Sequence, residues 1–171
     1  DLAGRGIHNG AVGVVETATA EIRGLAGNLA IDSPGGQIPA FDVPRSPGST
    51  LKPFLYAAGL DDGLFLPDTL LTDTPATWGG YAPQNYDGTW SGVVRAEDAL
   101  SRSLNVPFVS ALGRFGVDRF LGVLRTGSAR FDPRPGRYGL SLIVGGIELS
   151  PLDIAGLYVA LANGGVARPL R

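Results

Sequence analysis

The sequence predicts an α+β fold, because strand-like runs come first along the chain and helical patterns follow. Residues 10–16 and 21–26 are short apolar runs with β-branched side chains, and residues 17–20 between them have turn character. This pattern predicts a two-stranded antiparallel hairpin. An isolated hairpin is only marginally stable in water. We therefore expect further strands of its sheet to come from sequence outside these 171 residues.

Apolar residues recur at helical spacing in several segments after residue 48, and glycines follow most of these segments. The predicted helices cover residues 49–60, a segment from about 95, residues 106–115, residues 118–124 and a segment from 151. The stretches 28–48 and 64–92 are rich in glycine, proline and other turn-forming residues, which predicts loops.

The last predicted helix has the clearest boundaries. Ser150 is a candidate N-cap, Pro151 suits the first helical position, and Asp153 completes a capping-box pattern. Gly164 and Gly165 predict the C-terminal end. We expect the core face of this helix to consist of Ile154, Leu157, Tyr158 and Leu161.

Composition excludes several classes of function. The net charge of −2 and the isoelectric point near 5.3 give no electrostatic basis for binding nucleic acid. The absence of cysteine excludes disulfides and thiolate-bound metals. His8 is the only histidine, and we interpret it as a solvated loop residue. With one histidine and no cysteine, the sequence predicts no histidine cluster or thiolate site for a metal. No apolar run approaches the roughly 20 residues that a transmembrane helix requires.

Ser49 and Lys52 form the first candidate catalytic pair. Residues three apart at the start of a helix lie on one face, with about 5–6 Å between their Cβ atoms. A serine hydroxyl becomes a good nucleophile when a neighbouring base takes its proton, and a desolvated lysine can be that base. Amide groups at a helix N-terminus favour the developing negative charge.

A serine and a lysine at this spacing are also compatible with a capping serine followed by a surface lysine. Two features favour catalysis. Lys52 is the only lysine among 14 basic residues, so lysine is not the usual surface cation of this protein. Pro53 disfavours a helical backbone at Lys52, and functional sites often break such local rules.

Ser103 and Asn105 form a second candidate pair, at the junction of two predicted helices. Two polar side chains that are two residues apart in a non-helical turn can face the same cleft. The hydroxyl of Ser103 could pass on a proton, and the amide of Asn105 could hold a substrate carbonyl. Taken alone, the pair is better explained as an ordinary cap for the helix that begins near Val106.

Several segments together resemble the transpeptidase domain of class A penicillin-binding proteins. Residues 45–53 (RSPGSTLKP) resemble the first active-site motif, and residues 97–107 resemble the second. Residues 81–86 are similar to the segment between them, and residues 138–165 to the region after the second motif. Segments 103–107 and 138–142 most resemble the 1C type. The resemblance extends from about Gly10 to the end of the sequence.

This resemblance implies a serine β-lactamase and DD-peptidase fold, with an antiparallel sheet flanked by helices. Ser49 would be the acylated nucleophile, Lys52 its base, Ser103 a proton relay to the leaving amine, and Asn105 a ligand of the substrate amide. The substrates would be peptidoglycan stem peptides ending in D-alanyl-D-alanine, and β-lactams would acylate Ser49. The resemblance places the protein at the outer, periplasmic face of the bacterial cytoplasmic membrane, held by an anchor that residues 1–171 do not contain.

The sequence departs from the family pattern in three respects. The third motif, Lys-Thr/Ser-Gly, would follow well after Arg171. The same region would supply a second cation, half of the oxyanion hole and the remaining strands of the sheet. Residues 29–36 differ from the usual end of the strand before the nucleophile. The glycosyltransferase domain of class A proteins does not occur in residues 1–171. We therefore expect these residues to form a partial domain, incomplete at its C-terminus, that is inactive in isolation.

Two alternative functions stay open from the sequence alone. A DD-carboxypeptidase or β-lactamase-type hydrolase would use water instead of an amine to release the acyl group. A carboxylate placed for that step would distinguish it, and the sequence identifies none. A catalytically silent module that binds peptidoglycan or partner proteins is the alternative from another class.

Overall fold

Four β-strands and five α-helices make up the described part of the chain. A computed structural model describes residues 3–6, 9–27, 37–134 and 136–171, so His8 and residues 29–36 lie outside the described residues. The strands are β1 (Ala11–Glu16), β2 (Glu21–Gly27), β3 (Leu70–Asp73) and β4 (Gly92–Arg95). The helices are α1 (Lys52–Asp61), α2 (Ala96–Ser101), α3 (Asn105–Phe115), α4 (Val117–Thr126) and α5 (Pro151–Ala162). Short 3₁₀ helices cover Ala3–Arg5, Gly48–Leu51 and Leu140–Val144.

These elements form two compact units. Unit 1 comprises Asp1–Arg45, Arg125–Phe131 and Glu148–Arg171, and therefore contains β1, β2 and α5. Unit 2 comprises Ser46–Leu124 and Asp132–Ile147, and contains all four predicted site residues. The α+β class predicted from the sequence is confirmed. None of the described helices is long and apolar enough to cross a bilayer.

The predicted hairpin forms in unit 1. Strands β1 and β2 pair antiparallel, with Glu16 opposite Glu21 and a register shift between Val14 and Val15. No other strand of the described residues joins this sheet. Helix α5 packs against β1. The outward valines of β1, Val12 and Val14, are largely exposed.

Helix α5 begins as predicted, but its buried face differs. The Ser150 hydroxyl accepts a hydrogen bond from the Asp153 backbone N–H (3.1 Å), and the Asp153 carboxylate accepts one from the Ser150 N–H (3.0 Å). Leu157 is buried as expected, whereas Tyr158 and Leu161 are each 39% exposed. The prediction of a core face containing these two residues was wrong. Helix α5 is apolar on every side, so its periodicity does not identify the packed face.

A second strand pair, β3–β4, lies within and beside the stretch that was predicted to be a loop. The two strands are antiparallel, and Asp73 at the end of β3 pairs with Gly92 at the start of β4. Each strand has four residues, which is too short for a clear alternation of apolar and polar side chains. The pairing joins segments about 20 residues apart and packs against α3. Tertiary contacts therefore created strands where local sequence predicts a loop.

Helix α3 forms the centre of unit 2. It contacts α1, β3 and the 3₁₀ helix Leu140–Val144, and most of its length is buried. Burying one of its large apolar side chains stabilises the fold by about 1.5–3 kcal/mol. Gly116 ends the helix, as predicted, at φ +99°, a backbone conformation that other residues rarely adopt. The buried apolar residues of α3 are Val106, Phe108, Val109, Ala111, Leu112 and Phe115.

Candidate active site

Ser49 and Lys52 lie on two different kinds of helix. Ser49 belongs to the 3₁₀ helix Gly48–Leu51, and Lys52 is the first residue of α1, so the predicted continuous helix over residues 49–60 was wrong at its start. Lys52 has helical dihedral angles (φ −58°, ψ −40°) although Pro53 follows it. Proline is tolerated in the first turn of a helix, because its missing N–H has no helical partner there. The local rule against helical backbone before proline is nevertheless broken at Lys52.

The side chain of Lys52 is buried, with only 1% of its surface exposed. Its Nζ lies 2.7 Å from the Ser103 carbonyl oxygen, 2.7 Å from Asn105 Oδ1 and 3.3 Å from Ser103 Oγ. The ring centroid of Phe108 lies 5.8 Å from the same Nζ. The fold therefore brings together three of the four residues that the sequence identified.

Ser103 adopts an uncommon backbone conformation between α2 and α3. Its φ of +54° is in the left-handed region, which costs a residue with a Cβ atom roughly 1–2 kcal/mol. In this conformation both its carbonyl oxygen and its hydroxyl lie within hydrogen-bond distance of Lys52 Nζ. Strained backbone of this kind is concentrated at functional sites.

Ser49 is half-buried, and no hydrogen bond to its hydroxyl is found within the described ranges. Its carbonyl oxygen accepts the backbone N–H of Lys52. The Ser49 hydroxyl and the Lys52 amine, which we expected to pair directly, are not hydrogen-bonded to each other in this structure. The amine is hydrogen-bonded to Ser103 and Asn105 instead. Ser49 precedes Lys52 by three residues and lies in the 3₁₀ turn that leads into α1.

Gly145 packs against the segment that leads into the turn carrying Ser49. Ser46 Oγ donates a hydrogen bond to the Gly145 carbonyl oxygen (2.8 Å). A Cβ atom at Gly145 would lie 3.0 Å from both Cα and N of Gly48, so a side chain at residue 145 would crowd the backbone of Gly48. Sequence reasoning did not identify Gly145 as a site residue, although it lies in the segment 138–165 that resembles the family.

Burial also changes the protonation of Lys52. Removal of water from around the charged amine lowers the pKa of Lys52 from 10.5 to about 8. A neutral amine has two N–H donors and one lone pair. The two donors match the Ser103 carbonyl and Asn105 Oδ1, and the lone pair is then left to accept a proton from a hydroxyl. The site can therefore hold a lysine that acts as a base near neutral pH.

We expect Lys52 to titrate near pH 8 in the folded chain and near pH 10.5 in the unfolded chain. Because Lys52 is the only lysine, a sample labelled with ¹³C at lysine Cε gives a single NMR resonance to follow against pH. Between about pH 8 and pH 10.5 the unfolded chain binds more protons at this residue. Lys52 therefore contributes a free energy of unfolding that rises with pH through this window. A folded-state midpoint near pH 10.5 would contradict the assignment.

Two buried polar residues behind Asn105 had no predicted role. Asp73 is 0% exposed and Asn85 6% exposed, and their side chains are hydrogen-bonded to each other. Asn85 lies in the family-like segment 81–86, so a signal for it existed, whereas no local pattern distinguished Asp73. Within the described ranges no group of three or more acidic or histidine residues could hold a metal ion.

Comparison with known proteins gives the family. A model of the "Penicillin binding protein transpeptidase domain" matches residues 10–129. The chain belongs to this transpeptidase family. Its curated relatives include penicillin-binding protein 1C of Escherichia coli (strain K12), which is 40% identical over 161 residues, or 92% of this chain and 21% of that protein. The resemblance to class A proteins, and to their 1C type, is therefore confirmed.

Further relatives support the assignment of the chain to this transpeptidase family. Penicillin-binding protein 1F of Bacillus subtilis (strain 168) is 36% identical over 124 residues, covering 71% of this chain and 17% of that protein. Penicillin-binding protein 1A of Neisseria gonorrhoeae is 33% identical over 165 residues, covering 91% and 20%. The chain thus spans about a fifth of the length of these relatives.

A solved structure supports the fold. The penicillin-binding protein PonA1 from Mycobacterium tuberculosis matches with a TM-score of 0.82 at 19% sequence identity. The match covers 95% of this chain and 45% of the PonA1 chain. The predicted penicillin-binding transpeptidase fold is therefore confirmed for this chain.

Proposed function

We propose that residues 1–171 are part of an acyl-serine transpeptidase domain that cross-links peptidoglycan stem peptides. The observation that carries this proposal is the buried Lys52 amine, held by Ser103 and Asn105 and three residues from Ser49. Family membership supports the reaction class. Because peptidoglycan is cross-linked there, the proposed site of action is the outer face of the cytoplasmic membrane.

In the proposed first step, Ser49 Oγ attacks the carbonyl carbon of the penultimate D-alanine of the donor peptide. The hydroxyl proton passes to the neutral Lys52 amine as the new C–O bond forms. The bond to the terminal D-alanine then breaks, and the leaving amine takes a proton through Ser103. The 3.3 Å separation of Lys52 Nζ and Ser103 Oγ supports this proton path.

In the second step, an amine of another stem peptide attacks the acyl group on Ser49 and loses a proton to the same path. The new amide bond forms and the Ser49 hydroxyl is restored. β-Lactams would acylate Ser49 in the same manner, but their cyclic leaving group stays attached. The reaction requires neither a metal nor an organic cofactor.

Asn105 supports the binding of the substrate amide. Its Oδ1 accepts from Lys52, and one Nδ2 hydrogen goes to the Gln84 carbonyl oxygen (2.6 Å). The amide group has a second Nδ2 hydrogen. No partner for this hydrogen occurs within the described ranges, so it can donate to a substrate carbonyl.

Hydrolytic release by water would need a carboxylate or another base beside the acyl group. In the part of the chain that the structure describes, no carboxylate is hydrogen-bonded to Lys52, Ser49 or Ser103. This arrangement favours transfer to an amine over the hydrolase alternative. Lys52 is buried and has a lowered pKa, which favours catalysis over a silent binding module.

A fluorescent penicillin should label Ser49 covalently. Residues 1–171 contain no Lys-Thr/Ser-Gly sequence, because Lys52 is their only lysine. The experiment therefore uses a form extended through this third motif, which we expect to be labelled faster than residues 1–171 alone. Peptide mapping by mass spectrometry should find the adduct on Ser49, and Ser49→Ala should remove it.

The matched control is Ser101→Ala, since Ser101 is an exposed serine at the end of α2 whose hydroxyl only donates to the Asp98 carbonyl (3.1 Å). This variant should be labelled at the parental rate. An adduct on Ser46 or Ser103 would overturn the assignment of the nucleophile.

A further inference from the structure

A buried polar pair lies directly behind the second active-site motif. The Asp73 carboxylate accepts hydrogen bonds from Asn85 Nδ2 (2.8 and 3.0 Å) and from the Ser91 backbone N–H (2.8 Å). Asn85 Nδ2 also donates to the Thr89 carbonyl oxygen (2.9 Å). Burying a carboxylate is costly unless hydrogen bonds compensate it, so these contacts are needed for Asp73 to remain in the interior.

The hydrogen bonds determine how both asparagine amides are oriented. A carboxylate only accepts, so the Nδ2 group of Asn85 must face Asp73, and its Oδ1 then faces the Asn105 backbone N–H (2.8 Å). The Gln84 carbonyl likewise only accepts, so Nδ2 of Asn105 faces it and Oδ1 faces Lys52. A continuous chain of hydrogen bonds thus joins Asp73 to the Lys52 amine.

Asn85 also provides the cap for α3. Asn105 is the first residue of this helix, and the N-cap residue Leu104 has no side chain that could accept a hydrogen bond. The first N–H groups of a helix have no partner within the helix. Asn85 Oδ1 provides one for Asn105 from a distant part of the chain. This cap holds the start of α3 in place beside Ser103. Residue 103 is a serine in the left-handed conformation that glycine adopts more easily, so its backbone is strained.

We propose that Asp73 and Asn85 are positioning residues for catalysis, which orient Asn105 and hold Ser103 and Asn105 against Lys52. This inference rests on the proposed acylation of Ser49. Asn85 sets the position and amide orientation of Asn105, and Asp73 sets the orientation of Asn85. The amine of Lys52 is hydrogen-bonded to Ser103 and Asn105 and not to this pair, so both residues act through Asn105.

The test uses Asn85→Asp, Asp73→Asn and the double exchange of both residues in the form extended through the third motif. Asn85→Asp places two carboxylates together without water and should slow penicillin labelling by roughly tenfold to a hundredfold, through misplacement of Asn105. The double exchange restores a donor at 73 opposite a carboxylate at 85. It also keeps acceptors for the Ser91 and Asn105 N–H groups but loses the donor to the Thr89 carbonyl oxygen, so it should recover part of the rate.

The Lys52 Cε resonance is a readout that loss of stability alone would not move. It should shift in Asn85→Asp, measured where the protein is folded, and return towards the parental position in the double exchange. Ser150→Ala is the matched control, because it breaks the capping box of α5 in unit 1. It should lower the melting temperature without changing the labelling rate or the Lys52 resonance.

Parental labelling and an unchanged Lys52 resonance in folded Asn85→Asp would overturn the inference. If Asn85→Asp does not fold, Asp73→Asn tests the inference instead. Its amide has the size of the carboxylate but removes one acceptor that faces Asn85. A shifted Lys52 resonance in that variant supports the inference, and an unchanged one overturns it. If the parent is not labelled at all, the proposed function fails, while the Lys52 resonance still decides whether the pair positions the site.

Discussion

Replacing Lys52 with arginine should slow acylation of Ser49 by about 10²–10⁴-fold, the usual contribution of a general base. The guanidinium group keeps the positive charge and can still donate to the Ser103 carbonyl and Asn105 Oδ1. It does not give up a proton at any usable pH. Lysine at this position has a pKa of about 8, so a substantial fraction is neutral near pH 7–8. The variant thus separates the function of a base from that of a buried charge.

The measurement is the rate of labelling by a fluorescent penicillin, with circular dichroism to show that the variant is folded. Lys52→Met is a second variant of similar length that removes both charge and base, and it should be as slow as the arginine variant. A near-parental rate in Lys52→Arg would show that Lys52 has an electrostatic or structural function instead.

Replacing Gly145 with alanine should also reduce labelling strongly, although Gly145 is distant from Ser49 in sequence. The new Cβ atom would lie 3.0 Å from both Cα and N of Gly48, and it would meet the Ser46 hydroxyl even more closely. The φ of +110° adds about 1–3 kcal/mol of strain for a residue with a side chain. Because Gly48 begins the turn that carries Ser49, relief of these contacts displaces the nucleophile. A displacement of about 1 Å costs roughly 10²-fold in rate.

Gly122→Ala is the matched control for this substitution. Gly122 lies within α4, and a Cβ atom there would meet nothing within 4 Å. Alanine in a helix is favoured over glycine by about 0.5–1 kcal/mol, so this variant should be slightly more stable and labelled at the parental rate. Equal labelling of the two alanine variants would show that the turn does not depend on Gly145.

Local patterns in the sequence were sufficient for several elements. The hairpin β1–β2 was predicted from two apolar runs separated by a turn, and α5 from its capping box. The uniqueness of Lys52 among the basic residues and the proline after it were enough to mark this lysine as a candidate base. The predictions of the hairpin and of the start of α5 are confirmed, because hairpin turns and helix caps act over a few residues.

The sequence by itself therefore determined the α+β class and the family, and it indicated the four residues that we propose for the site. The tertiary structure alone decided what surrounds the Lys52 amine, which pairs with Ser103 and Asn105 rather than with Ser49. It also decided that β3 and β4 pair, that Asp73 is buried behind Asn105, and which face of α5 packs. The physical reason is that these contacts join residues 12 or more positions apart along the chain. Burial and the pKa of Lys52 depend on such contacts, and no local pattern contains them.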